Sequence, residues 1–264
     1  MIPLSSSSEH PQVSSFTIIK GSLIEETYAA MRSWDLAETK RTNLDVFKES
    51  NPVGARSANW LRDVCWVLSR RFDCGGRDRA LVLLAQAGCP LETWRPLLLW
   101  HMTRDEFLVR DFLINWLYPR YEEKLSQLRT EDVISYLQGL ISQSLMAKPS
   151  WTEATMSRVA SGLLRIASDF GLVSGGRTRL FSQFHLPDQS FLYLLHAIAE
   201  QEASTLRIIA AYDWQMYLMS ARDVEAELLR LHQFRKLHYQ VAGSVAELTL
   251  PADSPLEYAQ EYMI

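Results

Sequence analysis

Residues 150–187 carry the strongest local signals in the chain, and they read SWTEATMSRVASGLLRIASDFGLVSGGRTRLFSQFHLP. Ser150 followed by Glu153 fits a capping box, in which a hydroxyl and a carboxylate satisfy free backbone N–H groups at a helix start. Gly171 stands where a glycine commonly ends a helix. Between them apolar residues recur at three-to-four spacing, and they are Met156, Val159, Ala160, Leu163, Ala167 and Phe170. The pattern predicts one long helix with one buried face.

The residues after this helix predict a small β element. Leu172 and Val173 lead into a Ser174-Gly175-Gly176 turn, and strand-like alternation follows over residues 177–186. Helix, tight turn and basic β element is the order of a winged helix-turn-helix. In that arrangement the helix lies in the major groove of DNA and the wing touches adjacent phosphates. A winged helix that mediates only protein contacts is the alternative.

The predicted DNA contacts lie opposite the apolar stripe and on the wing. They are Thr155, Arg158 and Arg165 on the helix and Arg177 and Arg179 on the wing. Residues 148–187 contain five bases and two acids, so they carry +3 inside a chain whose formal net charge is −4. Positive local charge suits backbone binding, because each neutralised phosphate releases condensed counterions.

A second, weaker basic surface is predicted within residues 55–79, where six arginines stand against three aspartates. Its candidate DNA contacts are Arg56, Arg62 and Arg70, with Trp60 and Trp66 interleaved. A solvated helix face with local Arg–Asp pairs explains the same pattern and is the favoured interpretation.

The rest of the chain predicts a mainly α protein. Capping-box sequences recur at Ser22–Glu25 and Thr103–Glu106, and Ser220–Leu237 has the pattern of an amphipathic helix. A second hairpin is predicted over 237–250, turning at Gly243-Ser244. We expect a flexible leader (1–15), an N-terminal helical domain (16–147) and a C-terminal winged-helix-like domain (148–264). The predicted fold is two helical domains with helix-turn-helix or winged-helix character and short β-hairpins in the C-terminal half.

Motifs of catalysis are not found in the sequence, and we expect no catalytic, metal or cofactor site. Phosphate-binding loops, dinucleotide fingerprints and zinc-protease motifs are absent. Asp169-Phe170-Gly171 spells a kinase motif without the other kinase segments, so it is predicted simply to end a helix. Asp111 with Glu122 and Lys124, and a similar set after Asp35, loosely fit a metal-nuclease pattern but lie in helical sequence.

Membrane insertion and secretion are not expected either. The longest charge-free run, residues 133–147, is too short and too polar to span a bilayer. The N-terminus lacks the features of a signal peptide, and three cysteines without zinc-like spacing fit a reducing compartment. These features predict a cytoplasmic location.

An ordered set of short segments resembles the BrxA family of bacteriophage exclusion (BREX) systems. The segments are Gly21-Ser22-Leu23, Arg110-Asp111-Phe112-Leu113, Ala160-Ser161-Gly162-Leu163-Leu164, Asp169-Phe170-Gly171-Leu172, Asp213-Trp214, Ala242-Gly243 and Ser254-Pro255-Leu256-Glu257. The similarity runs from Phe16 to the C-terminus. It implies a non-enzymatic, DNA-binding accessory protein of helical domains, acting with a larger methylation and defence machinery.

Three functions remain open at this point. The first is a phage-defence component that binds duplex DNA through the winged-helix element. The second is a scaffold that holds a defence partner, using the same surfaces and the acidic 188–227 segment, which has seven acids and two bases. The third is an RNA-binding helical protein. The expected partners are therefore double-stranded DNA and other phage-defence components.

Overall fold

The computed structural model describes residues 13–125, 127–143, 145, 151–243 and 245–264, and these are mainly helical. Its helices are α1 (Ser15–Lys20), α2 (Ile24–Arg32), α3 (Lys40–Ser50), α4 (Ala58–Arg71), α5 (Arg79–Gln86), α6 (Leu91–Thr103), α7 (Phe107–Asp111), α8 (Tyr118–Glu122), α9 (Thr130–Ser142), α10 (Glu153–Asp169), α11 (Asp188–Ala199), α12 (Thr205–Ile209), α13 (Ala221–Gln233) and α14 (Pro255–Tyr258). Short π-helical or 3₁₀ segments are Phe112–Leu117, Tyr212–Tyr217 and Ala259–Met263. The strands are β1 (Val173–Gly175), β2 (Arg179–Phe181), β3 (His238–Ala242) and β4 (Val245–Thr249).

The chain divides into two compact units, each built from two separate stretches. Of the described residues, the first unit comprises those up to Ile24 together with those of Met102–Phe184, and the second comprises those of Glu25–His101 together with those of His185–Ile264. The expected boundary at 147/148 lies outside the described residues, and the expected domain division stays a prediction. Of the expected leader, residues 1–12 lie outside the described residues.

Helix α10 is the centre of the first unit, and it packs against α1 and α9. Its predicted stripe is buried except at its first residue, since Val159, Ala160, Leu163 and Ala167 have no exposed surface and Phe170 is 3% exposed, whereas Met156 is half-buried. Gly162 lets α1 approach closely, because a Cβ at that position would stand 2.8 Å from the carbonyl oxygen of Ile18. This close crossing holds the short α1 against a helix that lies far from it in sequence.

The end of α10 is confirmed as a glycine stop. Gly171 has φ +78°, and its N–H donates to the carbonyl of Ser168 while the next N–H, of Leu172, donates to Ala167. This pair of bonds is the Schellman arrangement, which satisfies carbonyls left open at a helix C-terminus. Asp169-Phe170-Gly171 therefore has a structural role as a helix terminus.

The first hairpin differs from its predicted form. Ser174 and Gly175 belong to β1, which pairs antiparallel with β2 in the register Val173–Phe181, so the turn lies at residues 176–178. The strand predicted over 177–186 is only three residues long. Arg179 in β2 also exchanges two backbone hydrogen bonds with Leu128, of 2.9 and 3.0 Å, and this tertiary pairing fixes where the strand lies.

The helix starts are partly corrected. Ser150 lies outside the described residues, and the cap of α10 is Thr152, whose hydroxyl accepts from the N–H of Thr155. Thr103 is the last residue of α6 and does not begin a helix. Helix α2 begins at Ile24, inside the predicted Ser22–Glu25 box.

The second unit contains the other predicted helix and hairpin. Helix α13 starts at the Ser220 cap, and β3 pairs with β4 in the register His238–Thr249, which confirms the hairpin expected over 237–250. Val224, Leu228 and Leu231 form the buried stripe of α13. The helix is shorter than its predicted span and ends at Gln233.

Candidate nucleic-acid interface

One face of α10 is open to solvent. Ala154, Ser157, Arg158, Ser161 and Arg165 are exposed there, and their spacing places them on the same side of the helix. Both arginines were predicted as DNA contacts. Thr155, the third predicted contact on the helix, is only half-exposed. Its hydroxyl lies 3.0 Å from the hydroxyl of the capping residue Thr152.

An open groove of about 450 Å³ lies along this face, and we call it the arginine groove. Its walls come from α1, α10 and β2, and its lining is Ile19, Ser157, Arg158, Ser161, Gly162, Arg165 and Arg179. Three of the five arginine and threonine contacts predicted on the first helix–hairpin thus line one groove. Their guanidinium groups can present planar N–H forks to an anion.

Two of these arginines are held by hydrogen bonds to other groups of the protein. The guanidinium of Arg165 donates to the carbonyl of Ile19 near the end of α1, across 146 residues of sequence. Nε of Arg179 donates to the hydroxyl of Ser168 at 3.1 Å. Each guanidinium has five N–H donors, so these single bonds orient the side chains and leave donors for a ligand.

One carboxylate that acts on Arg179 is itself engaged in a hydrogen bond. Asp169 accepts a 2.5 Å hydrogen bond from the Ser22 hydroxyl. Burial lowers the pKa of Arg179, and the Asp169 carboxylate partly offsets that effect. The described lining of the arginine groove contains no carboxylate, so the groove presents net positive charge.

The wing arginines occupy different environments. Arg177 is exposed in the turn of the β1–β2 hairpin, whereas Arg179 is half-buried in β2 and faces the arginine groove. Leu180, the middle residue of β2, leaves 52% of its surface exposed. Arg177 is therefore the wing residue with the freer reach toward a phosphate.

The weaker candidates Arg56, Arg62 and Arg70 belong to the second unit. Arg56 precedes the Ser57 cap of α4, and Arg62 lies 3.6 Å from the carboxylate of its neighbour Asp63. The Arg70 guanidinium stacks over the Trp66 ring at 5.2 Å. All three arginines are exposed, and the Arg62–Asp63 pair is of the local kind that the sequence favoured.

Four residues that line the arginine groove are not among the predicted contacts, and they are Ile19, Ser157, Ser161 and Gly162. The two serines precede Arg165 at four-residue intervals, so helical periodicity could have placed them on the face of Arg158. The contribution of α1 had no comparable signal, because it depends on a tertiary crossing at Gly162.

A buried network of hydrogen-bonded side chains also lies in the second unit. Nδ1 of His101 lies 2.6 Å from Asp78, and its Nε2 lies 2.8 Å from the Tyr193 hydroxyl. Burial alone would raise the pKa of Asp78, but its bonds with His101 and Arg77 outweigh that effect and lower it. Asp78, His101 and Tyr193 are each at most 1% exposed, so these hydrogen bonds satisfy polar groups within the core.

The described residues contain no group of three or more His, Cys, Asp or Glu side chains placed to hold a metal ion. Among their helices, none combines the length and apolar character needed to cross a bilayer.

The fold and the arginine groove define a mainly helical protein with a basic helix–hairpin surface. The chain matches the BrxA family model over residues 15–197, which is more than half of its length. It therefore belongs to the BrxA family, and it is a component of a BREX phage-defence system. The match includes the arginine groove and ends within α11, so the segments Asp213-Trp214, Ala242-Gly243 and Ser254–Glu257 lie beyond it.

A solved structure shares the fold. A crystal structure of an uncharacterized protein from Magnetospirillum magneticum superposes with a TM-score of 0.59 at 15% sequence identity, covering 79% of this chain and 100% of that one. At this identity the likeness concerns the fold alone. No curated protein matches the sequence.

Proposed function

We propose that this protein is a non-enzymatic DNA-binding component of its phage-defence system and contacts duplex DNA through α10 and the β1–β2 hairpin. The observation that carries the proposal is the convergence of Arg158, Arg165 and Arg179 on one groove beside the open face of α10. Backbone contacts of this kind supply most of the affinity of sequence-neutral DNA binding.

The order of elements supports a winged helix-turn-helix interpretation. Leu128 precedes α9 and α10, the β1–β2 hairpin follows them, and Leu128 pairs back to Arg179 in β2. In helix-turn-helix proteins the N-terminal residues of the second helix contact base edges. The first half of α10 is open in this way, whereas α1 crosses the helix at Gly162.

The wing assignment is tested by replacing Arg177 and Arg179 with Ala. We expect the slope of log affinity against log salt for a duplex to fall by roughly one to two units if each arginine meets a phosphate. Fluorescence anisotropy with a labelled duplex over a KCl series measures the slope. The exposed Arg222 of α13 provides the control, and Arg222→Ala should keep the wild-type slope.

The two wing variants remove different interactions. Arg177→Ala removes an exposed side chain, whereas Arg179→Ala also removes the bond to Ser168 and a wall of the arginine groove. An affinity and a slope unchanged in both variants would exclude the wing as a DNA contact. Stronger retention of structured RNA than of duplex DNA would instead indicate an RNA-binding function.

A second function, holding a protein partner, is favoured by the exposed apolar side chains of the second helix–hairpin. Phe234, Val241 and Val245 leave 64%, 50% and 67% of their surface exposed. Val241 and Val245 lie close together on the paired strands β3 and β4, and contiguous exposed apolar groups are common in protein interaction sites. A chain that does not retain duplex DNA near physiological salt but co-purifies with another defence component would favour this scaffold function.

A further inference from the structure

The lining of the arginine groove offers hydrogen-bond donors and positive charge that suit an anion. Besides its three guanidinium groups it has the hydroxyls of Ser157 and Ser161, and each hydroxyl can donate a hydrogen bond. Guanidinium forks match the paired oxygens of a phosphate group, and such charge-assisted bonds are the strong ones.

The groove is also preorganised. Arg165 is tied to Ile19 and Arg179 is tied to Ser168, so two of the three cations are already ordered before a ligand arrives. Ordering a flexible side chain opposes binding, and a side chain that is already fixed avoids that loss. Arg158 is exposed and has no described hydrogen bond, so its guanidinium is available to a ligand in the groove.

The lining distinguishes a backbone phosphate from a free nucleotide. Its described residues include no aromatic ring on which a base could stack, and Ile19 is their one large apolar side chain. Nucleotide bases are usually held by stacking on aromatic side chains or by hydrogen bonds along their edges. The lining therefore offers recognition of a phosphate group without recognition of a base.

We propose that the arginine groove is a phosphate clamp that takes one phosphodiester group of a nucleic-acid backbone. The proposal rests on the proposed function and names the group bound at that site. Because the clamp contacts no base, its contribution to affinity is the same for every sequence. The closeness of α1 and α10 at Gly162 makes α1 part of the clamp, since it supplies Ile19 and anchors Arg165.

The clamp is tested with Arg158→Ala, because this side chain is exposed and its loss should leave the fold intact. The full chain is titrated with a labelled duplex of mixed sequence over a KCl series. We expect a several-fold loss of affinity and a salt slope lower by about 0.9, equal for two unrelated sequences. Arg158→Lys should restore the slope with part of the affinity, because lysine keeps the charge without the fork. Arg222→Ala should behave as wild type.

A second probe separates a backbone phosphate from a free one. Inorganic phosphate is added at constant ionic strength, and the Arg Nε resonances are followed by ¹H–¹⁵N NMR in the wild type and in Arg158→Ala. The clamp predicts small shifts with inorganic phosphate and larger ones with a short duplex, both reduced in Arg158→Ala. Saturation by inorganic phosphate with unchanged duplex affinity in Arg158→Ala would overturn the backbone assignment.

Failure of the clamp and failure of the proposed function give different results. Duplex binding that is unaffected in Arg158→Ala but lost in Arg177→Ala would overturn the clamp and leave the DNA-binding function in place. If the wild type does not bind duplex at all, the proposed function fails. In that case the clamp on a nucleic-acid backbone is overturned with it, and the NMR response to inorganic phosphate shows whether a small-anion site exists.

Discussion

Two helix–hairpins in this chain share a local pattern and differ in how their charges are used. In the first, Thr152 caps α10 and the β1–β2 hairpin follows, while in the second Ser220 caps α13 and the β3–β4 hairpin follows. Each cap hydroxyl accepts from a backbone N–H at 3.2 Å. The two segments are thus alike in the signals that local sequence carries.

Arg158 of the first helix–hairpin and Arg230 of the second differ in their ion pairing. Arg158 on α10 is exposed beside a groove that contains no described carboxylate. On α13, Arg230 pairs with Glu227 and Asp188, and Asp188 also accepts a 2.8 Å bond from Lys236. Arg158 is therefore available to a ligand, whereas Arg230 is neutralised within the protein. Nearby acids decide the difference, and helical pattern does not.

The largest effect is expected at the crossing that builds the first segment. Gly162→Ala should destabilise the protein by about 1–3 kcal/mol, because the new Cβ would meet the Ile18 carbonyl and push α1 away. Gly139→Ala, inside α9 with open space around it, is the matched control and should be neutral or stabilising by up to about 1 kcal/mol. Urea unfolding measures both, and equal effects would contradict the close packing of α1 on α10.

The helix caps allow a direct comparison of the two segments. Thr152→Ala and Ser220→Ala should each lower the free energy of unfolding by about 1 kcal/mol, because each leaves a backbone N–H unsatisfied. Thr152→Ser and Ser220→Thr keep the hydroxyl and serve as controls. Only the Thr152 change is expected to weaken duplex retention, since it loosens the turn that precedes Arg158. Equal loss of duplex retention in both variants would remove the distinction between the segments.

The smallest effect concerns the ion pairs of the second segment. Burial alone would raise the pKa of Asp188, but its bonds with Lys236 and Arg230 outweigh that effect and lower it. A carboxylate with a lowered pKa stabilises the fold above its unfolded value of about 3.9, and the contribution is lost as the pH falls through the folded value.

Asp188→Asn should therefore flatten the loss of stability between about pH 5 and pH 3 by roughly 0.5–1 kcal/mol. Thermal unfolding at a series of pH values measures this loss. Asp253→Asn, at an exposed aspartate, should keep the wild-type acid profile. An Asp188→Asn profile identical to wild type would mean that the ion pairs contribute nothing measurable.

Particular residues show how much of the structure can be predicted from the sequence. The stripe from Val159 to Phe170, the stop at Gly171 and the hairpin turning at Gly243 were predicted correctly, because burial periodicity and glycine conformation are local properties. The turn of the first hairpin was placed two residues early, because Leu128 pairs with Arg179 and so fixes the strand. Arg158, Arg165 and Arg179 were named as candidates, but nothing local indicated that they share one groove.

The sequence by itself determined the helical class of the chain, the capped helix with its glycine stop, and the set of short segments that resembles the BrxA family. Only the tertiary structure decided where the arginine groove lies. Ile19 and Arg165 are 146 residues apart in the chain, and they meet because Gly162 lacks a side chain that would keep α1 away. Such contacts depend on the packing of whole helices, which no window of local sequence contains.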